Sequence, residues 1–218
     1  MAKCSVSLWS ADLTNLGQAV RDLEGYADYL HIDVSDGHFS PSMLFFPDLV
    51  KSLRPLTETP FDVHIMANEP EKFIPQFAEA GADVITIQYE ATSDPLAAVS
   101  EVQRLGKTPG IALSPETPID VVEPLLDIVG IVLILGTQIG VKGQDMIPTT
   151  YDKIRSLRQL LESRDKGHIL IMADGAIRTH TVEKLVDAGA DVLVPGSLVF
   201  QNKIEEIIPW LHSLERGK

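Results

Sequence analysis

Short apolar, β-rich runs alternate with amphipathic helical patterns from one end of this chain to the other, and that alternation constrains its fold more than any other feature. Candidate strands lie at Cys4–Leu8, Tyr29–Asp33, Phe61–Ile65, Val84–Gln88, Pro109–Leu113, Ile131–Leu135, His168–Met172 and Val192–Val194. Candidate helices lie at Asn15–Glu24, Phe46–Leu53, Pro70–Ala80, Pro95–Leu105, Ile119–Leu126, Thr150–Ser163, Thr179–Ala188 and Ile204–Leu214. Ile131-Val132-Leu133-Ile134-Leu135 is apolar on both faces, as a parallel strand covered by helices should be. Regular β–α alternation implies a parallel sheet. A weak internal repeat (Tyr26-Ala27-Asp28-Tyr29, Gly81-Ala82-Asp83-Val84, Gly189-Ala190-Asp191-Val192) falls each time between a helix and the next strand. Glycine there suits a helix C-cap, and the aspartate can bond backbone in the turn. Eight units of about 25–30 residues each fill the chain and predict the α/β class, a (β/α)8 TIM barrel forming a single domain over residues 1–218. An open doubly wound sheet is the alternative; eight evenly spaced units with no spare segment favour closure.

The 218 residues are 44% hydrophobic and 22% charged, ordinary values for a soluble globular protein with a substantial core. A net charge of −13 disfavours non-specific attraction to nucleic acid or to an anionic membrane, so neither is an expected partner. An anionic substrate would need local donors. Cys4 is the only cysteine, which excludes an intramolecular disulfide and is compatible with a reducing compartment. No signal peptide or membrane-spanning run is evident, and a soluble cytoplasmic protein is the default expectation.

Active sites of such barrels lie at the carboxyl ends of the strands. In Tyr29-Leu30-His31-Ile32-Asp33, the imidazole and the carboxylate are two residues apart and share a strand face. His64 ends the third strand and Asp174 the seventh, and the same alternation aims all four inward. Two imidazoles and two carboxylates at one mouth suit a divalent metal: zinc, iron(II), manganese or cobalt. A buried strand histidine is more often plain structure, Asp174-Gly175 taken alone is a turn signal, and Asp62 can be read as a strand-end cap. The joint placement outweighs these readings, because charges inside a barrel are expensive unless paired or metal-bound.

Ser7-Leu8-Trp9-Ser10-Ala11-Asp12, His31-Ile32-Asp33-Val34-Ser35-Asp36-Gly37-His38-Phe39, Asp62-Val63-His64-Ile65-Met66 and Asp174-Gly175 together resemble the ribulose-phosphate 3-epimerase family over nearly the whole chain. The resemblance implies a (β/α)8 barrel, one divalent metal on His31, Asp33, His64 and Asp174, and Asp33 and Asp174 as an acid–base pair. Epimerisation beside a ketone removes a proton from one face and returns one to the other, so two opposed carboxylates are needed, with a metal stabilising the enediolate between them. The expected small-molecule substrate is a sugar phosphate, a ketose phosphate of pentulose, hexulose or tetrulose type. The residues expected to touch it are Ser7, His64, Met66, Gly140, Val141, Lys142, Gly143, Gly175, Ala176, Gly196 and Ser197.

The chain departs from the family pattern around that substrate. Ser35 and Leu135 stand where methionines are usual, and Trp9 replaces a smaller aliphatic residue, either as a pocket wall or as interior barrel packing. Lys142 and Ile139 replace a glycine and a proline in the loop Gly136–Gln144, Gly175-Ala176 replaces a glycine pair, and Gln88 stands where histidine is common. Met43, Leu44, Phe45 and Phe46 form an apolar cluster beside the mouth that can cover substrate or make a subunit contact, and a homo-oligomer is expected. A related phosphate-binding decarboxylase would carry an Asp-x-Lys-x-x-Asp cluster, which is absent, and no lysine sits well for a Schiff-base aldolase. A catalytically inactive paralogue binding a sugar phosphate is the remaining alternative, disfavoured by retention of all four candidate ligands.

Overall fold

Alternating side-chain direction along the strands sorts the buried residues of the computed structural model, which describes residues 1–216, into two separate apolar cores. The strands are β1 (Lys3–Ser7), β2 (Tyr29–Asp36), β3 (Phe61–Met66), β4 (Val84–Gln88), β5 (Thr108–Leu113), β6 (Ile131–Leu135), β7 (Leu170–Asp174) and β8 (Val192–Val194). Each pairs in parallel with the next. Lys3 and Cys4 of β1 then pair with Val192 and Leu193 of β8, which closes the barrel. The (β/α)8 expectation holds and the open sheet is excluded.

Val132 and Ile134 of β6 face outward into the larger core, beneath the helices. Ile131, Leu133 and Leu135 face inward, with Val84, Ala112, Met172, Val192 and Val194. The inner core is therefore made mainly by β5–β8. The opposite wall, from β1–β4, is polar: Ser5, His31, Asp62, His64, Thr86 and Gln88 are all completely buried. Gly110 shows how tight the interior is. It pairs with Thr86, and a Cβ at Gly110 would come within 2.2 Å of the Thr86 hydroxyl oxygen, so only glycine fits there without displacement.

The helices are α1 (Leu16–Asp22), α2 (Pro47–Leu53), α3 (Ile74–Ala80), α4 (Pro95–Arg104), α5 (Thr150–Ser163), α6 (Val182–Ala188), α7 (Ser197–Phe200) and α8 (Ile204–His212). The segment expected as a helix at Ile119–Leu126 is a 3-10 helix at Ile119–Leu125. Pro124 inside it has no N–H for an α-helical bond. Pro70–Ala80 divides into a 3-10 turn at Pro70–Lys72 and α3, because Pro75 is tolerated only in the first turn of a helix. The remaining helix ends move by a few residues, and Thr150–Ser163 is unchanged.

Strand ends differ more informatively. β1 stops at Ser7, and Leu8–Ser10 turn away as a 3-10 helix. β2 runs on to Asp36 because Ser35 still pairs with Met66, and a two-residue strand, Met43–Leu44, pairs antiparallel with Ser35 and Asp36. β7 is Leu170–Asp174, not His168–Met172, since its ladder to β6 continues until Leu135 meets Asp174. Neighbouring strands thus hold polar end residues that composition alone would assign to turns. Among the described residues no helix is long and apolar enough to cross a membrane.

Cys4 tests this register. Its thiol is buried in the larger core, on a strand flanked by β8 and β2, and burial, then the Asp28 carboxylate, push its pKa well above that of a free cysteine. Ellman's reagent at pH 8 should find no reactive thiol in the folded protein and one per chain in guanidinium. Rapid reaction under native conditions would show that β1 is not seated in the barrel.

Candidate active site

The polar wall is assembled by the register of β2 against β3, which sets His31 beside Asp62 and Asp33 beside His64. Asp62 accepts a hydrogen bond from the Ser5 hydroxyl at 2.9 Å and one from His31 Nδ1 at 2.8 Å. Its carboxylate thereby fixes the His31 ring, leaving Nε2 3.5 Å from Asp33 Oδ1. The Ser7 hydroxyl donates to the other oxygen of Asp33 at 2.7 Å. Across the interior, His64 Nε2 donates to Gln88 Oε1 at 2.9 Å. Asp174 ends β7 and accepts the Gly175 N–H at 2.7 Å.

One candidate ligand atom from each of His31, Asp33, His64 and Asp174 lies within 4.8 Å of the other three. His31 Nε2 and His64 Nδ1 are buried nitrogens with no hydrogen-bond partner. With His31 Nδ1 and His64 Nε2 engaged elsewhere, both face the space shared with two carboxylates. Neutral His64 offers a lone pair there directly, and His31 would offer one on giving up its second proton to make way for a metal. Such a mixed imidazole–carboxylate set fits a divalent cation of the zinc, iron(II), manganese or cobalt kind.

Electrostatics tie the four together. Burial disfavours a charged His31, but the flanking carboxylates of Asp62 and Asp33 outweigh it and hold its pKa well above the usual histidine value. Burial likewise works against an ionised Asp33, and the nearby charge of His31 together with the Ser7 hydrogen bond brings its pKa below the usual range. His64 is pushed down to about 4 by burial and by charged His31. Asp174 is pushed up to about 7, by burial first, against the pull of His31 and with the repulsion of Asp33. Two carboxyl groups in one small space are thus driven toward different protonation states.

Above this cluster opens a cavity of about 360 Å³. Asp33 and Asp174 reach its wall, as do Ser7, Met66, Gly140, Val141, Lys142, Gly143, Gly175, Ala176, Gly196 and Ser197. His31 and His64 are completely buried beneath it and do not line it. Trp9 stands on the cavity wall and is not interior packing, because the chain has left β1 before reaching it. Leu135 also lines the cavity, whereas Ser35 turns away to donate to the Ser42 carbonyl at 2.6 Å.

Lys142 reaches across the mouth. Its Nζ donates to the Trp9 carbonyl at 2.6 Å and lies 4.5 Å from the centre of the indole ring. Partial burial lowers its pKa, and the nearby Asp33 opposes that shift. The rest of the loop is held by Ser42, whose hydroxyl donates to Gly140 O at 2.6 Å, and by Arg178, whose Nη2 donates to Gln144 O at 3.0 Å. Ala176 adopts φ 52, the left-handed region that favours glycine, and its carbonyl accepts from the Thr181 hydroxyl at 2.8 Å. The apolar cluster at Met43 and Phe46 lies outside this cavity, on a separate apolar hollow, with both side chains exposed.

Asp62 was readable as a strand cap, but it is the group that orients His31. The signal was present, since Asp62 and His64 repeat the two-residue spacing of His31 and Asp33. Glu90 gave no such signal. It lies past the end of β4 and reaches the site only through Gln88.

A family model described as the ribulose-phosphate 3 epimerase family matches residues 3–200. The chain belongs to the ribulose-phosphate 3-epimerase family. It is 37% identical over 201 residues to a ribulose-phosphate 3-epimerase of Bacillus subtilis (strain 168), covering 92% of this chain and 93% of that protein. It is 38% identical over 203 residues to a chloroplastic ribulose-5-phosphate-3-epimerase of Arabidopsis thaliana, covering 91% of this chain and 72% of that one. Among solved structures, orotidine 5'-phosphate decarboxylase from Pyrococcus horikoshii OT3 superposes with a TM-score of 0.68 at 14% identity, covering 99% of this chain and 100% of that one. That likeness extends the barrel fold beyond the epimerase family and carries no chemistry.

Replacing Asp62 by Ala strands His31 and Ser5 without their shared acceptor. The cost should be about 3–5 kcal/mol in urea unfolding, as for other broken buried pairs. Zinc affinity, read by chelator competition, should fall about 10–100-fold. Ala176→Gly should raise unfolding free energy by up to about 1 kcal/mol, since relief of the left-handed strain is partly offset by the freer unfolded chain.

Proposed function

We propose that this chain is a single-domain, metal-dependent 3-epimerase of a ketose phosphate, of the ribulose 5-phosphate/xylulose 5-phosphate type or a related tetrulose, pentulose or hexulose phosphate. The observation that carries this reading is the convergence of Asp33 and Asp174, from strands on different sides of the mouth, on a space they share with two unpartnered imidazole nitrogens. Family membership supplies the reaction class, carbohydrate epimerisation.

On this reading His31, Asp33, His64 and Asp174 hold one divalent metal, which when bound supplies positive charge opposite a developing enediolate oxygen. Asp33 and Asp174 then exchange a proton with opposite faces of the substrate carbon. Before metal binds, the two carboxyls are already distinguished by their surroundings, Asp33 shifted down and Asp174 up to about 7. Ser7 holds Asp33 in place. The phosphate lies in the cradle of Gly140, Val141, Lys142, Gly143, Gly175, Ala176, Gly196 and Ser197, with Lys142 its cationic partner. The exposed Met43 and Phe46 side chains support assembly of a homo-oligomer through that face, which sedimentation velocity would test.

Metal-loaded protein in D2O should incorporate deuterium at C3 of one member of a tetrulose, pentulose and hexulose phosphate panel, and a chelator should abolish the exchange. No exchange with any member would sink the epimerase reading. Asp33→Asn and Asp174→Asn should each lose about 10²–10⁴-fold in kcat, with metal content measured alongside to separate proton transfer from ligation. Lys142→Met should raise KM about tenfold or more with a smaller change in kcat, the expected weight of one charge-assisted hydrogen bond to phosphate.

A further inference from the structure

The amide of Gln88 has hydrogen-bond partners on every side. Its Oε1 accepts from His64 at 2.9 Å. Its Nε2 faces Glu90 Oε2 at 2.5 Å and the Ser114 hydroxyl oxygen at 3.1 Å. Glu90 is an acceptor throughout, for its other oxygen takes the Ser114 N–H at 2.9 Å and the Thr117 hydroxyl. Neither Gln88 nor Glu90 lines the substrate cavity, so neither belongs to the recognition surface.

We propose that Gln88 and Glu90 are positioning residues that decide which ring nitrogen of His64 carries the proton, and so which one faces the ligand cluster. A neutral imidazole has one N–H and one lone pair, and the group on one nitrogen dictates the other. Turning the Gln88 amide over would press its oxygen against the Glu90 carboxylate. Glu90 therefore keeps the amide oxygen toward His64, His64 must donate from Nε2, and Nδ1 is left with a lone pair. That nitrogen is the buried one with no partner, within the 4.8 Å cluster of His31, Asp33, His64 and Asp174. The opposite tautomer would aim an N–H at the same space and repel a cation. Selection of the tautomer thus begins at Glu90, two hydrogen bonds from the ligand atom. This inference rests on the reading of His64 as a metal ligand, but the tautomer itself can be observed without metal.

Long-range ¹H–¹⁵N correlation of histidine side chains in metal-free protein at pH 7.5 reports the tautomer, with a His64 variant assigning the signal. Zinc binding is read separately by competition with a chromophoric chelator. The wild type should show His64 protonated on Nε2. Glu90→Gln gives Gln88 a donor to face, so its amide can turn, and the signal should become mixed or reversed. Gln88→Met, which has no acceptor oxygen, should lose the preference too. Both variants should bind zinc about 10–100-fold more weakly. Circular dichroism confirms folding, and either variant suffices if the other does not fold. Folded variants that keep the wild-type tautomer and unchanged zinc affinity would overturn the proposal. A wild type protonated on Nε2 whose variants switch tautomer, yet which binds no zinc, would uphold the positioning relay and remove the metal reading instead.

Discussion

Half of the barrel interior is polar and cut off from water, and the remainder of the site depends on how those groups are satisfied. A buried carboxylate such as Asp62 is tolerable only with close partners, and it has two, Ser5 and His31. That arrangement reaches upward. With His31 Nδ1 committed to Asp62, its Nε2 is turned toward Asp33, and Ser7 takes up the second oxygen of Asp33. The same demand on the other side commits His64 to Gln88. Geometry at the mouth follows from hydrogen-bond accounting one layer below it.

The apolar wall does complementary work. Ile131, Leu133, Met172, Val192 and Val194 have no polar atoms to satisfy, and they fill β5–β8 with side chains that pack against the polar half. The division separates two tasks along the barrel axis. The two imidazoles suited to holding a cation lie deep and fully enclosed, the two carboxylates reach the cavity floor, and several of the groups that differ from the family pattern lie above them on loops. Trp9, Lys142 and Ala176 all occupy that upper layer. A substitution there can reshape recognition without disturbing the buried ladder of histidines and aspartates.

The barrel was legible because hydrophobic alternation repeats eight times, and the inward aim of His31, Asp33, His64 and Asp174 follows from a period of two. The ends of the elements were less so. β7 continues to Asp174 because β6 and β8 pair with it, a fact about neighbours that no local window contains. Ile119–Leu126 has an amphipathic pattern, but Pro124 controls its hydrogen bonding. In the site, Asp62 was hidden by a plausible local role as a cap, although its spacing to His64 pointed inward. Gln88 and Glu90 were harder still, since their effect runs through a chain of contacts across β3, β4 and the segment after β5. Lys142 was visible as an odd residue in a glycine loop, but its reach to Trp9 spans 133 positions of sequence.

That reach has a kinetic side. A lysine already lodged against a carbonyl and an indole face has one of its three N–H donors engaged, so an incoming anion would meet the other two or displace the Trp9 carbonyl to gain the third. Where that displacement occurs, part of the attraction is offset by the bond given up, so the grip is weaker than a wholly unengaged ammonium would provide. Departure is correspondingly easier, because the side chain has somewhere to return. For a reversible reaction whose substrate and product share the same charge, such a self-limiting grip favours turnover over retention.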